Sequence, residues 1–141
     1  MIFGRRCAPV LGFLTLALTS CQTPESIIGP PEPGIAYVPS VREKIAIELG
    51  VKRKLKDPGS AVIGAIGAVE TPNGIRHACG LVNARNSYGG YTGYVPFYGL
   101  FQHKPNGELI FAVIGLSSSE TGQIATLMMC EKYDLNYHPP G

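Results

Sequence analysis

Two short segments, Thr71-Pro72-Asn73-Gly74 and Lys104-Pro105-Asn106-Gly107, constrain this chain more than anything else in it. Pro presets φ for the second position of a β-turn, Asn tolerates the next, and Gly supplies a positive φ without steric cost. Each turn lies between two apolar, β-branched runs, 61–70 and 75–83 around the first and 94–103 and 108–115 around the second. The pattern predicts two antiparallel hairpins. Pro96 stands near the start of its run, where a missing N–H is tolerated. Helices are expected on either side. Ser40 with Glu43 forms a capping-box pattern, and Val41, Ile45 and Leu49 recur every fourth residue, predicting a helix over 41–55 with those three on its apolar face. Gly50 should weaken it by about 1 kcal/mol relative to Ala, and Asp57-Pro58-Gly59 ends it. Ser117 with Glu120 suggests a second box and a helix over 118–133, with Ile124, Leu127 and Met128 on one side. The order α-β-β-β-β-α gives the expected fold class: α+β, a small four-stranded antiparallel sheet of two hairpins with the N-terminal and C-terminal helices on a face.

The 141 residues suit one domain with an N-terminal addition. A composition of 45% hydrophobic and 16% charged residues argues against disorder over most of the length. Gly 18 and Pro 12 imply many turns and a linker.

The first twenty residues read as an address. Arg5 and Arg6 are followed by a short apolar run over 10–18, about half of the ~20 residues that a membrane-spanning helix needs. This predicts a signal peptide over 1–20. Its end, Leu18-Thr19-Ser20-Cys21, resembles the lipobox of bacterial lipoproteins. The resemblance implies that the Cys21 thiol receives a diacylglyceryl group, that cleavage falls before Cys21, and that the new amino group is acylated. The alternative is an ordinary secreted protein with Cys21 as a spare thiol. Each buried CH₂ contributes about 0.8 kcal/mol, so several chains hold where one holds marginally. Gln22, in place of the Asp that retains such proteins at the inner membrane in enterobacteria-like systems, points to the outer membrane. The segment 21–39 is Pro-rich and is expected to be an extended linker. The folded domain is placed over 40–135 and a loose tail over 136–141. Without Arg5 and Arg6 the 12 basic residues fall to the number of the 10 acidic ones. That balance argues against nucleic acid as a partner, since such binding needs a positive field. Lys52, Arg53, Lys54 and Lys56 form one basic cluster, expected as a solvated helix end.

Of the 4 cysteines, Cys7 leaves with the signal and Cys21 is lipidated, leaving Cys79 and Cys130. An even pair in an oxidising compartment predicts a disulfide that pins the last helix to the second predicted strand. A reactive thiol or a metal site at His77 and Cys79 stands as the alternative. A zinc site would need about four ligands, and no CxxC or HxxxH accompanies this pair. No metal and no cofactor are expected.

Residues 79–97, CGLVNARNSYGGYTGYVPF, carry the densest pattern. Together with Leu55, Asp57-Pro58 and Ser60-Ala61 they resemble a family of small bacterial proteins whose sequences run "LKDPxSAxF … CGxVNAKNSxGGYxGxxPF". Arg85 stands for the usual Lys and Leu81 for the usual Glu. The resemblance implies a shared fold and carries over no reaction. Asn86 to Gly90 should form a turn, because Asn and Ser cap their own backbone and Gly-Gly permits positive φ. Tyr88, Tyr91 and Tyr94 follow at every third position, a spacing that suits neither a strand nor a helix face. Their rings either lie over the edge of the core or, with Asn86, present a binding loop to a partner.

Enzyme chemistry is not expected. The serines lack a GxSxG setting, His77, His103 and His138 are dispersed, no carboxylate pair suits glycoside hydrolysis, and no phosphate-binding glycine loop opens a helix. The expected protein is an outer-membrane-anchored periplasmic lipoprotein, bound to the membrane through its lipid and acting as a binding or envelope-assembly module toward an envelope protein or glycan. The alternatives are an accessory lipoprotein of a secretion or conjugation apparatus and a periplasmic inhibitor of a hydrolase.

Overall fold

The computed structural model describes residues 34–135. The expected signal peptide, the expected lipidation of Cys21, the linker up to residue 33 and the tail over 136–141 lie outside the described residues. The elements are β1 (Ile35–Tyr37), α1 (Val41–Lys52), a 3₁₀ turn (Pro58–Ser60), β2 (Val62–Glu70), β3 (Arg76–Asn83), β4 (Val95–His103), β5 (Leu109–Leu116) and α2 (Glu120–Lys132). The α+β class and the helix–strands–helix order stand, but the sheet has five antiparallel strands in the order β1-β2-β3-β4-β5. The expected four-stranded sheet missed β1. It has three residues, too few to show an alternation, and it forms by pairing its Ala36 with Val69 on the edge of β2.

Strands β2 to β5 form a meander, and its first and last turns use one chemistry twice. In each, the Gly N–H donates to the carbonyl three residues back, Gly74 to Thr71 at 2.8 Å and Gly107 to Lys104 at 2.9 Å. In each, the Asn side-chain oxygen accepts the N–H two residues on, from Ile75 and from Glu108. The glycines adopt φ of 78° and 79°, the left-handed position that closes a three-residue hairpin loop.

The helices do not share a face as expected. Successive residues of β3 point to opposite sides of the sheet. Ala78 and Val82 meet Ala46, Ile47 and Val51 of α1 on one side, with Phe97 and Phe111 completing that core. Cys79 meets Cys130 of α2 on the other, with Val69, Tyr98, Tyr133 and Leu135. Strand β3 is therefore buried on both faces from His77 to Val82. The Cys79–Cys130 disulfide, with Cα atoms 5.9 Å apart and a sequence separation of 51, joins this central strand to α2. In the chain-entropy account a loop of that length contributes about 4 kcal/mol. It also overturns the reactive-thiol and metal alternatives for Cys79.

Both helices turn away the apolar residues expected to face inward. Val41 is 75% exposed, and Ile45 and Leu49 stand outward with it. The inward stripe of α1 is Glu43, Ala46, Ile47, Gly50 and Val51. The choice follows from close approach: a Cβ on Gly50 would lie 2.4 Å from the Phe111 carbonyl oxygen of β5. Ile124, Leu127 and Met128 of α2 likewise face outward, and Thr126 and Cys130 are its buried residues. Its N-cap is Ser119, whose hydroxyl accepts the Gly122 N–H, while Ser117 bonds Ser119 instead of forming the expected box with Glu120.

The capping box at Ser40 is present and does more than cap. The buried Glu43 carboxylate accepts from the Ser40 N–H at 2.9 Å, the Ser40 hydroxyl at 2.8 Å, the Tyr37 phenol at 3.0 Å and the Arg76 guanidinium at 2.6 Å. One side chain thus ties β1, α1 and β3 together. Burial pushes its pKa up, but the bonds from Ser40 and Tyr37 and the Arg76 charge outweigh it and hold the carboxyl below its ordinary range. Burial and the neighbouring carboxylate push the Tyr37 phenol well above its own.

Two outcomes follow. Helix propensity alone predicts that Gly50→Ala stabilises the domain by about 1 kcal/mol, whereas overpacking against a backbone carbonyl costs about 1–3 kcal/mol. Urea titration should show a net loss; a gain would mean that α1 shifts freely off β5. Glu43→Gln should cost about 2 kcal/mol at pH 7, less than a fully buried pair because Arg76 is partly exposed. Because the folded-state pKa is depressed, the carboxylate's contribution is complete above the ordinary value of about 4.3 and disappears as pH falls through the folded value. The gap between parent and variant should therefore close below about pH 4, and a gap that does not narrow there would remove the carboxylate from this role.

Candidate functional site

The β3–β4 connection, residues 84–94, is the longest between strands of the meander, and it folds back on the chain before β2. Two separated sequence blocks meet there. The Ser60 hydroxyl, itself bonded to the Asp57 carbonyl, accepts the Arg85 N–H at 2.9 Å. The Tyr91 hydroxyl donates to the Ser60 carbonyl at 3.1 Å. Lys56 Nζ donates to the Ser87 hydroxyl at 2.9 Å. The pattern shared by 55–61 and 79–97 is thus one contact surface in the fold.

Asn86 builds the loop tip. Its side-chain oxygen accepts the N–H groups of Tyr88 at 2.9 Å and Gly90 at 3.2 Å. Its backbone N–H donates to the Gly90 carbonyl, and its carbonyl accepts from the Gly89 N–H. Gly89 takes φ of 82°, so the tip requires glycine at that position, while Gly90 keeps an ordinary φ. Arg85 and Tyr91 face each other in an isolated antiparallel bridge that closes the loop at its base.

The three tyrosines point in three directions. Tyr88, at the tip, is 98% exposed. Tyr91 is turned back toward the 3₁₀ turn, and the Arg85 guanidinium lies 5.5 Å from its ring centroid, a cation–π distance. Tyr94 packs over Gly64, where a Cβ would sit 3.2 Å from its ring. The structure brings Asn86, Tyr88 and Tyr91 into one loop and sets Tyr94 against β2.

Beside this loop is a cleft of about 520 Å³. Its floor is the buried or half-buried Leu55, Val82, Val95 and Leu116, its rim carries the exposed Lys54, Lys56 and Arg85, and Ser117 and Ser118 also line it. Only the lysines were visible in the sequence, as a basic cluster; Arg85 and the serines join them through the fold. Elsewhere, His77 is buried, with its Nδ1 2.9 Å from the Tyr98 hydroxyl and its ring 4.0 Å from that of Tyr133. It packs beside the disulfide as part of the core. Among the described residues no group of three or more His, Cys, Asp or Glu side chains could hold a metal ion, and no helix is long and apolar enough to cross a membrane.

No family model matches the chain, and no curated protein or solved structure matches it.

The loop geometry separates its two outer rings. Tyr88→Ala should change stability by less than about 0.5 kcal/mol, as surface substitutions do. Tyr91→Ala loses a hydrogen bond and the Arg85 contact and should cost about 1–2 kcal/mol. Denaturant titration of the two single variants checks this, and equal costs would show that Tyr91 does not pin the loop.

Proposed function

We propose that the chain is an outer-membrane-anchored periplasmic lipoprotein whose folded domain is a binding or assembly module for an envelope protein or glycan. The single observation that carries the binding role is Tyr88, 98% exposed at the tip of a turn whose backbone is fixed by Asn86. An exposed Tyr supplies contact area at low entropic cost, and a turn already held in shape loses little freedom on binding. The anchor rests on Leu18-Thr19-Ser20-Cys21, with Gln22 favouring the outer membrane. The disulfide agrees with an oxidising compartment. The likeness of 55–97 to the small bacterial family belongs to the same reading.

The outward apolar stripes of α1 and α2 favour the assembly side of this reading, because a component of a secretion or conjugation apparatus needs surfaces for neighbours. The hydrolase-inhibitor reading draws on the pinned loop, since inhibitors insert a rigid segment into a preformed cleft.

The experiment has two parts. Cys21→Ala should move the protein from the membrane fraction to the soluble one and abolish incorporation of labelled palmitate; unchanged retention would remove the anchor. A photo-crosslinking residue at position 88, activated in intact cells, should give a discrete adduct that competes with untagged protein. A large complex identifies an assembly role and a single hydrolase an inhibitory one. No adduct from position 88, with adducts from positions 45 or 127, would move the binding surface from the loop to the helices.

A further inference from the structure

We propose that the cleft beside the β3–β4 loop binds a small organic anion, a carboxylate or phosphomonoester that carries an apolar group. Tyr88 does not line it, so this site is distinct from the loop tip and does not rest on the reading above.

The charge arrangement is the first support. Lys54, Lys56 and Arg85 line the cleft, and no Asp or Glu does. The ion pairs among the described residues join Lys52 to Glu48, Arg76 to Glu43 and Lys104 to Glu108, so none of them neutralises these three cations. Like charges gathered without counter-charges repel, and an anion between them would relieve that repulsion while accepting charge-assisted hydrogen bonds.

The second support is position. Lys56 is held by Ser87, and Arg85 is held through its backbone by Ser60 and over the Tyr91 ring. The Lys56 ammonium is thus placed beside Ser87 of the lining before any ligand arrives, and Arg85 sits on a fixed backbone, which reduces the ordering cost of binding. Ser117 and Ser118, which also line the cleft, lead directly into the N-terminus of the 13-residue helix α2, whose partial positive charge has the same sign as the rim.

The third is the floor. Leu55, Val82, Val95 and Leu116 offer an apolar surface below the charged rim. A site for a bare inorganic ion would not need it. The volume, about 520 Å³, falls in the range of roughly 300–1,000 Å³ typical of small-molecule sites.

The test uses the full ¹⁵N-labelled chain in dodecyl maltoside with its disulfide oxidised. The probes are hexyl phosphate, octanoate, inorganic phosphate and hexanol. Hexyl phosphate or octanoate should shift the amides of 54–56, 85–87 and 117–118 saturably, and whichever binds more tightly tells a phosphate source from a carboxylate one. Inorganic phosphate and hexanol should each bind about tenfold more weakly, since each offers half of the recognition. Raising the salt to about 0.5 M should weaken the organic anions. The combined Lys54→Gln, Lys56→Gln, Arg85→Gln variant should lose about tenfold in affinity, while Lys44→Gln with Lys52→Gln should not. If the triple variant loses its near-UV circular dichroism, Lys54→Gln replaces it, because among the described residues the Lys54 side chain has no hydrogen bond or ion pair; about a threefold loss is then expected. Retained affinity in these variants, hexanol binding as tightly as octanoate, or shifts confined to the outward faces of α1 and α2 would each overturn the proposal.

Discussion

The Cys79–Cys130 bond is the link on which the second half of the structure depends. Helix α2 buries Thr126 and Cys130 and turns Ile124, Leu127 and Met128 to solvent. A helix attached through so narrow an apolar stripe is held weakly by packing alone. The covalent bond to the centre of β3 supplies what packing does not. The aromatic stack of His77, Tyr98 and Tyr133, with interplanar angles between 8° and 19°, then fills the space beside it. Ser117 and Ser118, part of the cleft's lining, join α2 to the end of β5, whose Leu116 is paired with Phe97 in the sheet.

The opposite face is held without covalent help, by different means. There α1 approaches β5 closely because Gly50 presents no side chain to Phe111. Its N-terminus is fixed by Glu43, which gathers four donors from β1, α1 and β3. A buried carboxylate is costly unless its oxygens are satisfied; here both are, and β1 is joined to the domain as a result. The three residues of β1 could not form an independent strand, so the extension of the sheet toward the N-terminal segment depends on this carboxylate and on pairing to β2.

What could be read in the sequence follows the range of the interactions involved. The turns at Pro72-Asn73-Gly74 and Pro105-Asn106-Gly107 were legible because local chemistry settles them, and the flanking strands lie within a residue or two of expectation. The disulfide was legible by counting cysteines. The buried faces of the helices were not. In α1 both stripes contain apolar residues, and hydropathy favours Val41, Ile45 and Leu49 over Ala46 and Gly50. Close approach selects the smaller residues, and no single-helix pattern reports it. Strand β1 was missed because its pairing partner is more than thirty residues away. The cleft was hidden for the same reason: its cations and hydroxyls come from the segment after α1, the β3–β4 connection and the β5–α2 junction. The loop tyrosines were recognised as a group, but that Tyr91 pins the loop and Tyr88 does not depends on Ser60, which lies in the other sequence block.

The two blocks, 55–61 and 79–97, explain why both candidate surfaces share one end of the sheet. Ser60 fixes the base of the β3–β4 loop through Arg85 and Tyr91, and Lys56 fixes its flank through Ser87. The same contacts hold the tip that carries Tyr88 and fix Lys56 and the Arg85 backbone beside the cleft. Rigidity at this end thus does not come from burial, since most of these groups are exposed. It comes from hydrogen bonds between two segments that lie far apart in sequence. Loops held in this way can carry binding groups on a stable scaffold without enclosing them in the core.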